Sequence, residues 1–295
     1  MCPREKLKRA KAVMPTSLFK EVLNKVQADT SQYGYVTFAG FGEPLMDREL
    51  LSKIEIARNR GFRVLLLTNG SLLDLNVFNA MDGLGVDSVR VSFYGMNART
   101  YGKMHGVKDP DTFYRVWQAL NEICSAGRRT KLVMTLNVVD GINDGDTDAW
   151  IKYWEARADL IEVWRPHNWV YGRKFRPISA EKRRTCARPF TGPLQIQVDG
   201  TVNMCCFDFN GDLTLGDLRR NGLKDIFKGP MFRKIYEIHN NGNMEQSNLI
   251  CKDCDQLNRD KSNVIIYNSH FDAKERVECI STTYNRLGFD AVDTR

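Results

Sequence analysis

No stretch of the 295-residue sequence approaches the ~20 consecutive apolar residues that cross a bilayer. The start, Met1-Cys2-Pro3-Arg4-Glu5-Lys6, also lacks the apolar core of a secretory signal. These absences predict a soluble, cytoplasmic protein with no membrane partner. Thiols stay reduced in that setting, so the eight cysteines argue for metal binding or redox chemistry rather than a disulfide framework. A hydrophobic content of 42% is enough for a sizeable core, and the length allows one large domain or two smaller ones. The net charge of +7 comes from 43 basic against 36 acidic residues. Basic residues gather at Arg4 to Lys11, Arg173 to Arg176 and Lys182 to Arg188. They read as a solvated face, the alternative being an acidic or phosphate-bearing partner.

The stretch that organises the chain is Tyr33-Gly34-Tyr35-Val36-Thr37-Phe38-Ala39-Gly40-Phe41-Gly42-Glu43-Pro44-Leu45. An apolar run bounded by glycine and proline predicts a strand covered on both faces. Gly40 and Gly42 allow close approach to a ligand or a positive φ, and Glu43 places a carboxylate beside free amides. Such a turn suits an ammonium or a ribose, and it is also compatible with an ordinary strand-to-helix turn.

Before it, Leu18, Val22, Leu23 and Val26 repeat at helical spacing over 14–28, with Thr16 or Ser17 as N-cap. After it, Leu50, Leu51, Ile54 and Ala57 predict a helix over 47–60, closed by a left-handed Gly61. Strands then follow at 62–70, 88–95, 131–139 and 160–165, and helices at 73–81, 111–126 and 147–157. Five strands alternating with helices specify parallel pairing with right-handed crossovers, in an open α/β sheet or part of a barrel. Ligands in such folds lie at the carboxyl ends of the strands. Gly40 to Glu43, Thr68-Asn69-Gly70, Ser92, Asn137 and Arg165 all fall there.

The pattern breaks beyond Tyr171. A basic stretch around Pro177 reads as a linker over 173–185. Two alternating runs, 194–198 and 201–205, are joined by Asp199-Gly200, a strong hairpin signal. Cys186, the pair Cys205-Cys206 and Cys251-Lys252-Asp253-Cys254 bracket this hairpin and can supply four thiolates to one centre. Thiolates in that arrangement select zinc or an iron–sulfur cluster, and residue chemistry alone leaves both open. Cys124 reads as a core residue, Cys279 has no partner by spacing, and Cys206 is expected on the opposite face of the strand from Cys205.

These motifs, in this order, resemble those of the radical S-adenosylmethionine (SAM) enzymes. Met1-Cys2-Pro3-Arg4 is similar to the end of the family's C-x-x-x-C-x-x-C-P loop, whose three cysteines hold a [4Fe–4S] cluster. Gly40-Phe41-Gly42-Glu43-Pro44 resembles the Gly-Gly-Glu-Pro stretch that binds the methionyl amino group of SAM. Asn69, Ser92 and Asn137 stand at matching strand ends. Cys186, thirteen residues, Gly200, four residues, Cys205 resembles the opening of SPASM and twitch modules. Asp260 occupies the place of a further SPASM cysteine, so the resemblance implies a twitch-type module with one auxiliary [4Fe–4S] cluster on Cys186, Cys205, Cys251 and Cys254. Only Cys2 of the three loop cysteines is present, and the strand before the loop has no counterpart. The expectation is therefore a truncated or misplaced start, the alternative being a relative that has lost its radical site.

The resemblance implies a partial (β/α)6 TIM-like barrel over 1–172 with its first strand missing. A linker follows at 173–185, then the auxiliary-cluster module at 186–261 and a tail at 262–295. It implies reductive cleavage of SAM to a 5′-deoxyadenosyl radical, which abstracts hydrogen from a small-molecule or peptide substrate, in the manner of a dehydrogenase or peptide maturase. Gly40, Gly42, Glu43, Asn69, Ser92 and Asn137 would bind SAM, and Cys2 would serve the radical cluster. Arg165 or His167 would orient or deprotonate substrate, and flavodoxin or ferredoxin would donate the electron. The competing reading is a non-catalytic cysteine–metal scaffold that binds RNA or an acidic protein through its basic linker.

Overall fold

The structure, a computed structural model, describes residues 2–30, 33–170 and 172–259 and the backbone of 264–267. Cys279 and Asp260 lie outside the described residues. The first helix, α1 (Thr16–Asp29), groups with the C-terminal half of the chain: Cys2–Tyr33 and His167–Lys261 form one compact unit, and Gly34–Pro166 forms another.

The Gly34–Pro166 unit is built on β1 (Tyr35–Phe38), β2 (Arg63–Thr68), β3 (Ser88–Ser92), β4 (Lys131–Asn137) and β5 (Leu160–Trp164). Neighbours in sequence are neighbours in the sheet, and all four pairings are parallel. An order that never reverses means every right-handed crossover steps the same way, so the helices share one face and the other becomes a lumen. That is the winding of a barrel rather than of a doubly wound sheet. The five parallel strands agree with the partial barrel predicted. Residues 264–267 add an antiparallel strand beside β5, which the sequence did not foretell.

The connecting helices are α2 (Leu50–Asn59), α3 (Leu75–Gly83), α4 (Ala98–His105), α5 (Asp111–Ser125) and α6 (Thr147–Glu155). Local chemistry sets their ends. Asp74 accepts from the Val77 amide and Asn97 from the Thr100 amide, and left-handed glycines follow α2 and α4 at Gly61 and Gly106. Beneath them, the rings of Phe93, Tyr101, Phe113, Trp117 and Trp154 interlock with centroids 5.2–5.8 Å apart.

Four expectations are corrected. β1 is half-buried rather than covered on both faces, because it lies at the edge of the sheet. Leu51 is exposed, and the buried place on α2 goes to Lys53, whose ammonium meets Asp47 at 2.5 Å. The N-cap of α1 is Pro15, so Thr16 is already helical. Cys124 is half-buried rather than a full core residue.

The second unit carries α7 (Arg188–Thr191), β6 (Gln195–Ile196), β7 (Thr201–Asn203), β8 (Thr214–Asp217), α8 (Leu223–Lys228) and α9 (Pro230–Asn241). The Asp199-Gly200 hairpin forms, with Gly200 at φ 84°, and β8 extends it to a three-stranded antiparallel sheet. Val22 and Val26 of α1 join Val202, Leu215, Leu223, Ile226 and Ile235 in one core. The 173–185 stretch is pinned within this unit. Arg176 pairs with buried Asp255 at 2.7 Å, and the Ser179 amide donates to Asn258 at 2.8 Å.

Candidate functional site

In the sheet unit the predicted ligand residues stand at strand ends. The Glu43 carboxylate lies across the end of β2: Oε1 accepts from Thr68 Oγ1 at 2.6 Å and from the Leu45 amide at 3.2 Å, and Oε2 accepts from the Asn69 amide at 2.8 Å. Glu43 is therefore both an N-cap and a clamp between two loops. Gly40 takes a positive φ of 139° and Gly42 does not, and a Cβ at either would meet nothing within 4 Å. The glycine turn thus leaves open room for a ligand's close approach. The Asn69 side chain is folded back onto the Ser71 amide at 2.8 Å. Ser92 accepts from Tyr94 Oη at 3.0 Å. Asn137 ends β4, and its carbonyl accepts from Asn143 Nδ2 at 2.8 Å. Arg165, directly after β5, is exposed.

By register, Arg90, Ser92, Thr135, Asn137, Glu162 and Trp164 share one face of β3, β4 and β5. On that face a buried ion pair reaches over β4. Arg90 Nη2 donates to Glu162 Oε1 at 2.6 Å, and Trp164 Nε1 donates to Glu162 Oε2 at 3.0 Å. Sequence reading passed over this pair. Its signal was one charge in the middle of each of two otherwise apolar strands, Val89-Arg90-Val91 and Ile161-Glu162-Val163.

In the second unit, Cys186, Cys205, Cys251 and Cys254 line one cavity, together with Arg188, Met204, Phe207, His239 and Leu257. Cys2 is not among the lining residues. Three of the four sulfurs receive the backbone amide two residues on, Arg188 at Cys186, Phe207 at Cys205 (3.4 Å) and Gln256 at Cys254. The Arg4 amide reaches Cys2 in the same way. Among the described residues no three His, Cys, Asp or Glu side chains gather tightly enough to hold a single metal ion. The four thiols share the wall of a chamber rather than a point.

Burial pushes the Cys186 thiol up to about 11 and raises Cys251 and Cys254 as well, with neighbouring sulfurs adding to the effect. Removing several protons from this chamber requires a cation to replace them, which is the condition thiolate–metal centres meet. Cys206 departs from expectation. It lies in the turn beyond β7, where strand alternation no longer applies, and its thiol is hydrogen-bonded to that of Cys205. That bond holds Cys206 below the ordinary thiol range and Cys205 above it.

His239 was also missed, because the helices after Gly222 went unassigned. Burial holds its imidazole down to about 4. His167 is likewise pushed down to about 4 by burial, and its Nδ1 meets Gln256 Nε2 at 2.8 Å, so the ring is neutral and engaged.

The model of the radical SAM superfamily matches residues 2–153, more than half of the chain. The protein belongs to the radical SAM superfamily. Residues 186–255 match SPASM, an iron–sulfur cluster-binding domain. The two models imply a [4Fe–4S] cluster, SAM and an auxiliary iron–sulfur cluster, as the sequence motifs led us to expect.

Among curated relatives, an uncharacterized protein of Methanocaldococcus jannaschii is 30% identical over 148 residues, 50% of this chain and 50% of the relative. A probable GTP 3′,8-cyclase of Methanosarcina acetivorans is 28% identical over 138 residues, 45% of this chain and 39% of the relative. The chain thus spans half or less of the length of these relatives. Among solved structures, BtrN in complex with AdoMet and 2-DOIA aligns with a TM-score of 0.57 and 17% identity over 94% of this chain and 90% of BtrN. The enzyme anSMEcpe with AdoMet and a peptide aligns with a TM-score of 0.58 and 13% identity over 97% and 91%. At these identities the likeness is one of fold. No described helix is long and apolar enough to cross a membrane.

Proposed function

We propose that this protein is a radical SAM oxidoreductase of the dehydrogenase or peptide-maturase type, with one auxiliary [4Fe–4S] cluster on Cys186, Cys205, Cys251 and Cys254. The observation that carries the proposal is the shared chamber of these four thiols, with backbone amides aimed at three of the sulfurs. Amides that stabilise thiolate sulfur fit an iron–sulfur centre. When bound, the cofactors supply reductive cleavage of SAM and an acceptor for the electron left on substrate. The radical cluster itself is not accounted for by the residues present. Cys2 offers one thiolate, and the other cysteines in its unit belong to or flank the chamber.

The chain's own part in the sheet unit is binding and orientation. Gly40 and Gly42 give the methionyl end of SAM room to approach backbone, and Glu43 offers it an acceptor. Asn69, Ser92 and Asn137 stand at successive strand ends, where ribose and carboxylate contacts would fall. Arg165 is exposed and able to orient an anionic or hydroxyl-bearing substrate. Substrate is proposed to be a small molecule or a peptide, the two classes present with BtrN and anSMEcpe, and the electron donor a flavodoxin or ferredoxin.

The test is anaerobic reconstitution with iron and sulfide followed by assay for 5′-deoxyadenosine from SAM. This chain would be compared with a version carrying two further loop cysteines ahead of Cys2. Product is expected from the second version only. Zinc in place of iron in the chamber, with no product from either, would replace this reading by a structural scaffold.

A further inference from the structure

One buried polar atom in the cysteine chamber has no partner. His239 on α9 is 1% exposed, its ring lines the same cavity as Cys186, Cys205, Cys251 and Cys254, and its Nε2 makes no hydrogen bond. A buried donor left unmatched costs about 1–3 kcal/mol, and such atoms are uncommon in native folds.

The contact at Nδ1 bears on which nitrogen carries the proton. Thr185 Oγ1 accepts from the Ala187 amide at 3.0 Å and lies 2.8 Å from His239 Nδ1. With one lone pair taken by the Ala187 amide, the hydroxyl keeps a proton that it can give to Nδ1, and this is the arrangement adopted here. A neutral imidazole that accepts at Nδ1 holds its proton on Nε2. In that tautomer the unmatched atom is an N–H donor. Thr185 and Ala187 flank Cys186 in sequence, so this relay also ties the Cys186 loop to α9.

We infer that His239 Nε2–H donates a hydrogen bond to a sulfur of the cluster held by Cys186, Cys205, Cys251 and Cys254, and thereby sets its reduction potential. The inference rests on the auxiliary-cluster reading above. Reduction adds negative charge to the sulfurs, so a donor aimed at them favours the reduced state and raises the potential. His239 is a tuning residue here, not a ligand, because ligation needs the Nε2 lone pair that the Thr185 relay leaves protonated.

The test uses the full chain reconstituted anaerobically with iron and sulfide, as wild type, His239→Phe, His239→Gln and Thr185→Ala. Iron and sulfide content and the potential of the chamber cluster are read by EPR-monitored titration. His239→Phe is expected to keep its iron and become harder to reduce, by about tenfold in the reduction equilibrium, which is about 59 mV for a one-electron couple. Gln, which retains a donor, should recover part of the shift. Thr185→Ala, which frees the tautomer, should move the potential the same way by less. Nitrogen-15 NMR of the metal-free wild type gives a check that does not depend on any variant folding: Nε2 should carry the proton.

An unchanged potential at full iron content in His239→Phe would overturn the inference. So would directly coordinated imidazole nitrogen in pulsed EPR of the wild type, or a proton on Nδ1 in the NMR experiment. A wild type that takes up no iron would instead overturn the auxiliary-cluster reading beneath it.

Discussion

The sheet unit and the cysteine unit solve the same problem, holding a chemically demanding site, by opposite means. Gly34–Pro166 buries apolar strands under aromatic helices and places its polar site residues at the rim, where glycine and a carboxylate shape a turn. The cysteine unit has only short strands, and its thiols sit inside, in a chamber where burial raises their pKa values. The first site is a consequence of a fold that forms without it. In the second, on the cluster assignment proposed above, folding and metal binding would draw on the same free energy. The core of Val22, Val26, Val202, Leu215 and Ile235 divides the dependence further, because it is built from apolar side chains of α1, β7, β8 and α9, with Cys251 alone of the four chamber cysteines packed against it.

The sharpest break of this contrast is removal of two thiols. Cys251→Ala with Cys254→Ala is expected to abolish cluster uptake and to withdraw binding energy on the order of 10 kcal/mol, by analogy with structural zinc sites. Hydrogen exchange should then show the loops around Cys186 and 249–257 opening, while the amides of β2, β3 and β4 stay protected. Equal loss of protection in β2–β4 would mean that the two regions do not differ in metal dependence. Cys206→Ala is a milder companion. Its hydrogen bond to Cys205 predicts altered cluster spectra rather than the silence expected of a side chain on the opposite face.

The sheet unit carries a deeply buried polar dependence of its own, the Arg90–Glu162 pair. Glu162→Ala takes the carboxylate away from a buried guanidinium and is expected to cost about 3–5 kcal/mol in denaturant unfolding. Replacing both, Arg90→Met with Glu162→Leu, should recover much of that loss. If the single and double variants were equally damaging, the contribution would lie in packing of the side-chain stems rather than in charge.

Acid separates the unit's stability from its site. His105 lies between the rings of Tyr94 and Tyr101 at 4.8 and 4.3 Å, accepts from the Tyr94 amide, and is pushed down to about 3 by burial. Between the ordinary histidine value near 6.5 and that folded value, the unfolded chain binds a proton that the folded chain does not. Stability therefore rises with pH across this window and is lost as pH falls through it. From pH 7 to 4.5 the loss should be on the order of 2–3 kcal/mol. His105→Phe keeps a ring in the stack and removes the titration, so its unfolding should lose this part of the pH dependence, starting from a lower stability. An unchanged slope would assign acid sensitivity to other groups.

Much of the frame could be read from residues, because strand–helix alternation with glycine and proline punctuation is local information. Winding direction, the edge position of β1 and the strand at 264–267 are relations between distant segments, which periodicity does not carry. The cysteine spacing pointed to one chamber, since Cys-x-x-Cys after a hairpin leaves little freedom. The chamber's other walls were hidden. Arg188 reads as one more residue of a basic run, and His239 as one residue of an unassigned helix, until the fold sets both beside sulfur. Cys206 shows the limit of alternation rules, which no longer hold in the turn three residues past the end of β7.

The smallest expected effect concerns the rim, and it decides whether the sheet unit's site is separable from its fold. An ionised carboxylate offers about four acceptor positions. Glu43 gives three of them to Thr68 Oγ1, the Leu45 amide and the Asn69 amide, which leaves one for an external donor such as the ammonium of SAM. Glu43→Gln keeps the shape but turns one oxygen into a donor, so either the Asn69 amide or the Thr68 and Leu45 donors lose their acceptor. We expect a fall in unfolding free energy of about 1–2 kcal/mol from that mismatch. In a protein carrying the complete cysteine loop, SAM binding should weaken by a further ~1–2 kcal/mol, roughly five- to thirtyfold, as a charge-assisted bond becomes a neutral one. Calorimetry of SAM binding alongside thermal unfolding reads the two effects separately. Lowered stability with unaltered SAM affinity would make Glu43 a clamp between loops and nothing more, and the rim would then belong to the fold as fully as the aromatic core does.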